Sequence, residues 1–188
     1  MLVGGQERQA YRKRHLVPFG EYFPVPPAVR EWMKMQNLPH SDLARGADVQ
    51  PLLTSADGTQ FGVVICYEDA YGAEQLYALP DAGLLINVSN DAWFGDSIAP
   101  HQHLEIARMR SLEFGRPTVR STNTGISAFI AAAGELLQTG KQFEAELMTA
   151  NVRPYSGITP YAARGNSPII GLCLIILGMF WFRDRASL

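Results

Sequence analysis

Two stretches hold residue types capable of covalent chemistry. The first is "FGVVICYEDAYG", Phe61 to Gly72, an apolar run that ends in Cys66, Tyr67, Glu68 and Asp69. A cysteine reacts as its thiolate, and a turn at the end of a buried strand presents a side chain at the edge of a fold. Free cysteine is also among the most buried residue types. Burial here stops at Cys66, because its successors are polar or amphipathic. On spacing alone, a nucleophile and a packing residue are equally supported. The second stretch is "YRKRHLVPFGEY". It offers Lys13 as the cation that would lower the pKa of a reactive thiol. A basic cluster such as Arg12 to His15 most often forms a solvated face. The residues after this cluster are unusual: Leu16 to Gly20 is apolar, and Glu21 then stands alone. An isolated acid in an apolar loop calls for a partner or a function.

Two other groupings carry less. His101 and His103, with Asp91 and Asp96, have metal-ligand chemistry. Residues two apart on a helix point away from each other, so no metal is assigned. "STNTG", Ser121 to Gly125, is read as a tight turn, since no glycine-rich phosphate loop opens a helix there.

The surrounding pattern supplies the elements that must position these residues. "LVGGQERQ" predicts a turn at Gly4–Gly5 followed by a strand. Pro18, Pro24, Pro26 and Pro27 exclude a regular central strand over the next segment. Within it, Val29, Trp32 and Met33 fall at helical spacing and predict a short amphipathic helix on a long loop, with the character of a lid. "QFGVVIC" and "AGLLINVSN" read as buried strands with a short helix, "YGAEQLYALP", between them. "DAWFGD" is a loop. "PHQHLEIARMRSLEFG" is a helix opened near Pro100 and closed by Gly115. "PTVRSTNTG" reads as a strand running into a turn, "ISAFIAAAGELLQTG" as a hairpin around Gly134, and "FEAELMTANV" as a last strand. Strands first alternate with helices and then succeed one another, which fits a layered α/β sandwich.

The composition is globular: 47% apolar and 18% charged over 188 residues. A net charge of -2 lacks the basic stripe that nucleic-acid binding needs. Cys66 and Cys173 do not make a disulfide framework. No signal peptide is read at the N-terminus. From Ser167 to Phe182 the chain carries no charge, and Arg183 and Arg185 come next. The run is somewhat shorter than a typical spanning helix. Its all-round apolarity, its terminal Trp181 and Phe182 and the arginines beyond favour a membrane helix over a buried core helix, with the arginines on the cytoplasmic side.

Taken together and in order, "KRHLVPFGEYFP", "GVVICYED", "NVSNDAWFG", "HLEIARMRSLEFGRPTVRSTNTG" and "GITPYAARGN" resemble the apolipoprotein N-acyltransferase family, membrane members of the nitrilase (carbon–nitrogen hydrolase) superfamily. The resemblance implies a nitrilase-like αββα sandwich. It divides the chain into a C-terminal part of the catalytic domain (1–166), a transmembrane helix (167–182) and a short basic tail (183–188). It implies Cys66 as nucleophile and Lys13 as the lysine of a Glu-Lys-Cys triad, with Glu21, Tyr67 and Glu68 supporting the site. The triad glutamate of the family lies upstream of the lysine motif, so the chain reads as the C-terminal portion of such an enzyme. The implied reaction moves a fatty acyl chain from a phospholipid to the α-amine of a diacylglyceryl-modified N-terminal cysteine of an apolipoprotein. It runs through a thioester, with no metal or organic cofactor, on the outer side of a bacterial inner membrane. An amidase acting on a small amide, and a non-catalytic membrane-anchored remnant, are the alternatives.

Overall fold

The computed structural model of the chain describes residues 2–4, 7–36 and 43–186. Its centre is a six-stranded sheet in sequence order: β3 (Leu53–Thr54), β4 (Gln60–Ile65), β5 (Leu84–Ser89), β6 (Thr118–Thr122), β7 (Ala128–Ile130) and β8 (Leu136–Thr139). β4, β5 and β6 are parallel, and the outer pairings are antiparallel. A separate hairpin pairs β1 (Leu2–Gly4) with β2 (Glu7–Gln9). It contains the strand expected after the glycine turn, and Gly5 lies outside the described residues.

The two parallel connections run through α2 (Gly72–Gln75) and α3 (Ala99–Phe114). Successive right-handed crossovers in one direction along a sheet put both helices on one face. The register agrees. Gly62, Leu85, Thr118 and Ile130 form one row. A Cβ on Gly62 would sit 3.3 Å from Ala78, and Ser111 of α3 meets Thr118 at 2.6 Å. α3 turns Leu104 and Ala107 onto Ile126, Ala128 and Ile130 to form the core. The opposite face carries a second row in register, Val63, Ile86, Val119 and Phe129. The described residues therefore build one sheet and one helical layer of the expected sandwich.

Local chemistry explains the boundaries. α3 has Pro100 in its first turn, where a missing N–H costs nothing. It stops at Gly115, whose φ of 61° is the left-handed conformation that glycine adopts freely. α4 (Pro160–Arg164) is capped by Thr159, whose hydroxyl accepts the Ala162 N–H at 3.0 Å. Behind Gly115 the wholly buried Arg116 donates to the carbonyls of Pro80, Ala82, Phe114, Gly115 and Gly157. It fastens three loops at the end of the sheet where β5 and β6 begin.

Two expectations need correction, and one holds. "FEAELMTANV" forms no strand. From Gly140, beyond β8 at one edge, the chain crosses to the start of β5, where Tyr155 donates to the Gly83 carbonyl at 2.8 Å. A segment that crosses from the rim where β6 ends to the opposite rim, over strands it does not lie beside, has no ladder to join. The amphipathic helix exists as α1 (Pro27–Met35), but it buries none of its residues. The second correction concerns the spanning helix. The apolar run does form α5 (Ser167–Ala186), which continues through Arg183. Yet among the described residues no helix is long and apolar enough to cross a membrane. The charge-free part, Ser167 to Phe182, rises only about 24 Å, against a hydrocarbon core of about 30 Å. The last tail residues, 187–188, lie outside the described residues.

Candidate active site

The carboxyl ends of β4, β5 and β6 meet at one rim, where open α/β sheets place their ligands. Cys66 succeeds β4 directly and starts a 3₁₀ turn over Cys66–Ala70. Its φ of 52° is uncommon for a non-glycine residue, and such strain gathers at functional turns. The thiol faces a cavity of about 650 Å³ lined by Lys13, Glu21, Tyr67, Asn90, Trp93 and Phe94 among others. Thus Cys66, Lys13, Glu21 and Tyr67, four of the five residues singled out in the sequence, share one cavity.

Lys13 Nζ donates to Glu21 Oε1 at 2.7 Å, with both side chains largely buried. The other Glu21 oxygen accepts the Val17 N–H at 2.9 Å. The apolar stretch between them is a compact turn in which the amides of Gly20, Glu21 and Tyr22 converge on the Val17 carbonyl. This turn explains the isolated acid: it folds Glu21 back onto Lys13.

Glu68 is the fifth residue, and it is buried beneath the cavity instead of lining it. Its carboxylate accepts the backbone N–H of Arg14 and, at 3.2 Å, that of His15. It also accepts the Ile65 N–H at 2.8 Å and the Tyr11 hydroxyl at 3.1 Å. Glu68 thereby joins the chain around Lys13 to the chain around Cys66. Tyr67 accepts the Tyr71 hydroxyl at 2.7 Å, and His15 stacks on the Tyr71 ring at 3.8 Å.

From its sequence, Lys13 is expected to lower the Cys66 thiol pKa. It does so, yet the net direction for the thiol is upward. Burial pushes the thiol up, and Lys13 and the backbone N–H groups of Asn90 and Tyr67 only partly oppose it, while Asp91 adds to the rise. Lys13 spends much of its field on Glu21 at 2.7 Å.

A buried polar cluster behind Cys66 is not foreshadowed by the sequence motifs. His103 Nδ1 meets Asp91 Oδ1 at 2.8 Å, and its Nε2 meets Asp69 Oδ1 at 3.1 Å and the Cys66 carbonyl at 3.4 Å. Arg120 binds Asp91 at 3.1 Å and Asn87 at 2.6 Å. Burial alone would push His103 down, but its hydrogen bonds to Asp69 and Asp91 raise it to about 9. At neutral pH both ring nitrogens therefore donate. His103 is buried and His101 exposed, the divergence that their spacing predicts. His103 is taken up by this ion-pair cluster, and among the described residues no His, Cys, Asp and Glu group is arranged to hold a metal. The available signal was charge close to apolar strands: Asp69 and Asp91 lie in the turns after β4 and β5, and Arg120 sits inside β6.

With the geometry in hand, comparison with known proteins places the chain. A profile of the carbon–nitrogen hydrolase family matches residues 3–159, and the chain belongs to that family. It is 46% identical over 187 residues to an apolipoprotein N-acyltransferase of Methylococcus capsulatus, covering 100% of this chain and 37% of that protein. It is 46% identical over 186 residues to the Nitrosomonas europaea protein of the same name, covering 97% of this chain and 37% of that one. The chain thus spans little more than a third of the length of the curated relatives it matches. A crystal structure of a carbon–nitrogen hydrolase from Helicobacter pylori G27 is similar at 17% identity and a TM-score of 0.47, over 54% of this chain and 43% of that one.

Proposed function

We propose that this chain is the nucleophile-bearing part of an N-acyltransferase. It moves a fatty acyl chain from a phospholipid to the α-amine of a diacylglyceryl-modified N-terminal cysteine on an apolipoprotein. The observation that carries the reading is the single cavity in which Cys66 faces the Lys13–Glu21 pair. The name borne by relatives at 46% identity supplies the substrate classes.

In this mechanism the Cys66 thiolate attacks the ester carbonyl carbon of the phospholipid, and the carbonyl π electrons move onto oxygen. Lys13 and the backbone N–H groups around Cys66 stabilise that developing charge. Collapse of the intermediate breaks the acyl C–O bond. The lysophospholipid leaves as an alcohol on taking a proton, and a thioester remains on Cys66. The amine then attacks the thioester, loses a proton and displaces the Cys66 sulfur, giving an amide and restoring the thiolate. The general base for these transfers is a glutamate supplied by the longer protein, as the family resemblance implies. Glu21 orients Lys13, Tyr67 borders the acyl carbon, and Glu68 holds the two segments together.

The cavity mouth suits a lipid. Trp93 is 80% exposed and Phe94 44% exposed, and large apolar side chains held in water invite apolar contact. Leu174, Leu177, Met179 and Phe180 of α5 are likewise exposed and supply further lipid contact in the longer protein. α1 lines no part of the cavity, so the lid expected from Trp32 is not part of this proposal.

The test is acylation by the longer protein with a phospholipid donor. A hydroxylamine-labile acyl adduct on Cys66, and loss of transfer in Cys66→Ala, are expected. Transfer that persists in Cys66→Ala overturns the reading.

A further inference from the structure

The turn that borders the cavity beside Cys66 is held from two sides by residues with no assigned role. Asn90 and Asp91 connect β5 to the exposed Ala92–Phe94 turn. Asn123, in the turn after β6, grips them from the solvent side. Its Oδ1 accepts the Asp91 N–H at 3.0 Å, and its Nδ2 donates to Asn90 Oδ1 at 2.7 Å. The clasp therefore reaches both residues that flank one peptide bond. From the interior, Asp91 gives one oxygen to His103 at 2.8 Å and the other to Arg120 at 3.1 Å. The far nitrogen of His103 reaches the Cys66 carbonyl at 3.4 Å. Gly125 closes the gap: a Cβ there would lie 2.1 Å from Asp91 Oδ2.

We infer that Asn123 and His103 are positioning residues that lock the Asn90–Asp91 turn against the Cys66 turn and so aim the Asn90 backbone N–H at the cysteine sulfur. The inference rests on Cys66 being the nucleophile. Neither side chain touches the reacting atoms. Both act through the amide of Asn90, a donor that favours the thiolate. Such donors are effective only when held in place before the charge develops. His103 is faced by Asp69 from the Cys66 turn, by Asp91 from the turn after β5, and by Arg120 from β6. Asn123 is exposed, so its removal leaves the core intact.

The experiment measures Cys66 alkylation by iodoacetamide in the 188-residue chain, with Cys173→Ser to remove the second thiol. Rates are taken from about pH 6 to about pH 10. Asn123→Ala should keep its melting temperature within about 2 °C. Its alkylation near neutral pH should slow about five-fold, with the rate profile displaced to higher pH. His103→Gln should shift the profile the same way. A purely structural role would lower the melting temperature and leave the profile of the folded protein in place. Wild-type profiles in folded Asn123→Ala and His103→Gln overturn the inference. Cys66→Ser in the longer protein tests the underlying reading separately. Lost transfer alongside unmoved profiles removes only the positioning role, whereas retained transfer removes the nucleophile.

Discussion

The Glu68 carboxylate binds the N–H of Arg14, next to Lys13, and also that of Ile65, next to Cys66. One buried side chain thus fixes both neighbours of the candidate catalytic pair, across 54 residues of sequence on one side and three on the other. Glu68→Gln keeps the shape but presents an amide N–H₂ to donors that need an acceptor. The loss expected is about 1–3 kcal/mol of stability for the unsatisfied groups. Urea unfolding would show the lowered midpoint, and unchanged stability would mean that the two segments are held in another way.

Lys13 contributes the cationic field that most opposes the burial that raises the Cys66 thiol. Lys13→Met should therefore displace Cys66 alkylation further toward alkaline pH and slow it at neutrality. An unmoved alkylation profile in a folded Lys13→Met protein would show that the cation does not reach the sulfur.

His103 gives a pH dependence of definite sign. Its proton is bound more tightly in the folded protein, at about 9, than at the ordinary 6.5. The stabilisation is complete below about 6.5 and is lost as pH rises through about 9. The melting temperature should fall between about pH 7 and about pH 9.5. Burial also raises Cys66 and Tyr11, so their contributions fall in the same direction at higher pH. His103→Gln isolates the histidine share: its melting temperature should be lower near neutral pH and should decline less steeply.

Trp93 separates substrate contact from folding. At 80% exposed, its replacement by Ser should change stability by less than about 0.5 kcal/mol. Transfer from a long-chain phospholipid should nonetheless fall in the longer protein, with the greater change in KM. Equal KM values for Trp93→Ser and the parent would exclude the cavity mouth as the acyl contact.

Much of this arrangement is legible in the sequence, and the failures have physical causes. β4, β5 and α3 announce themselves because β-branched runs and a proline-to-glycine helix frame are local signals. The pairing of Lys13 with Glu21 is foreshadowed by an acid stranded in an apolar loop. The His103 cluster is not, because its members come from β5, β6, α3 and two turns, and only the fold brings them together. "FEAELMTANV" misleads because alternation describes a strand only when a partner edge lies alongside it. The apolar tail is a helix as expected, but its charge-free run is too short to span.

Arg116 sets the two ends of the sheet apart. Where β5 and β6 end, the buried charges answer one another, and among them the His103 imidazolium gives up its proton as pH rises through about 9. Where those strands begin, the buried guanidinium is answered by five backbone carbonyls, including those at the close of α3. Burial lowers the Arg116 pKa, yet an arginine keeps its charge at any moderate pH, and carbonyls do not titrate. Alkali therefore loosens this molecule from the Cys66 end while the Arg116 end stays fastened. Amide exchange at elevated pH should accelerate around Asn90 before it does so around Ala82.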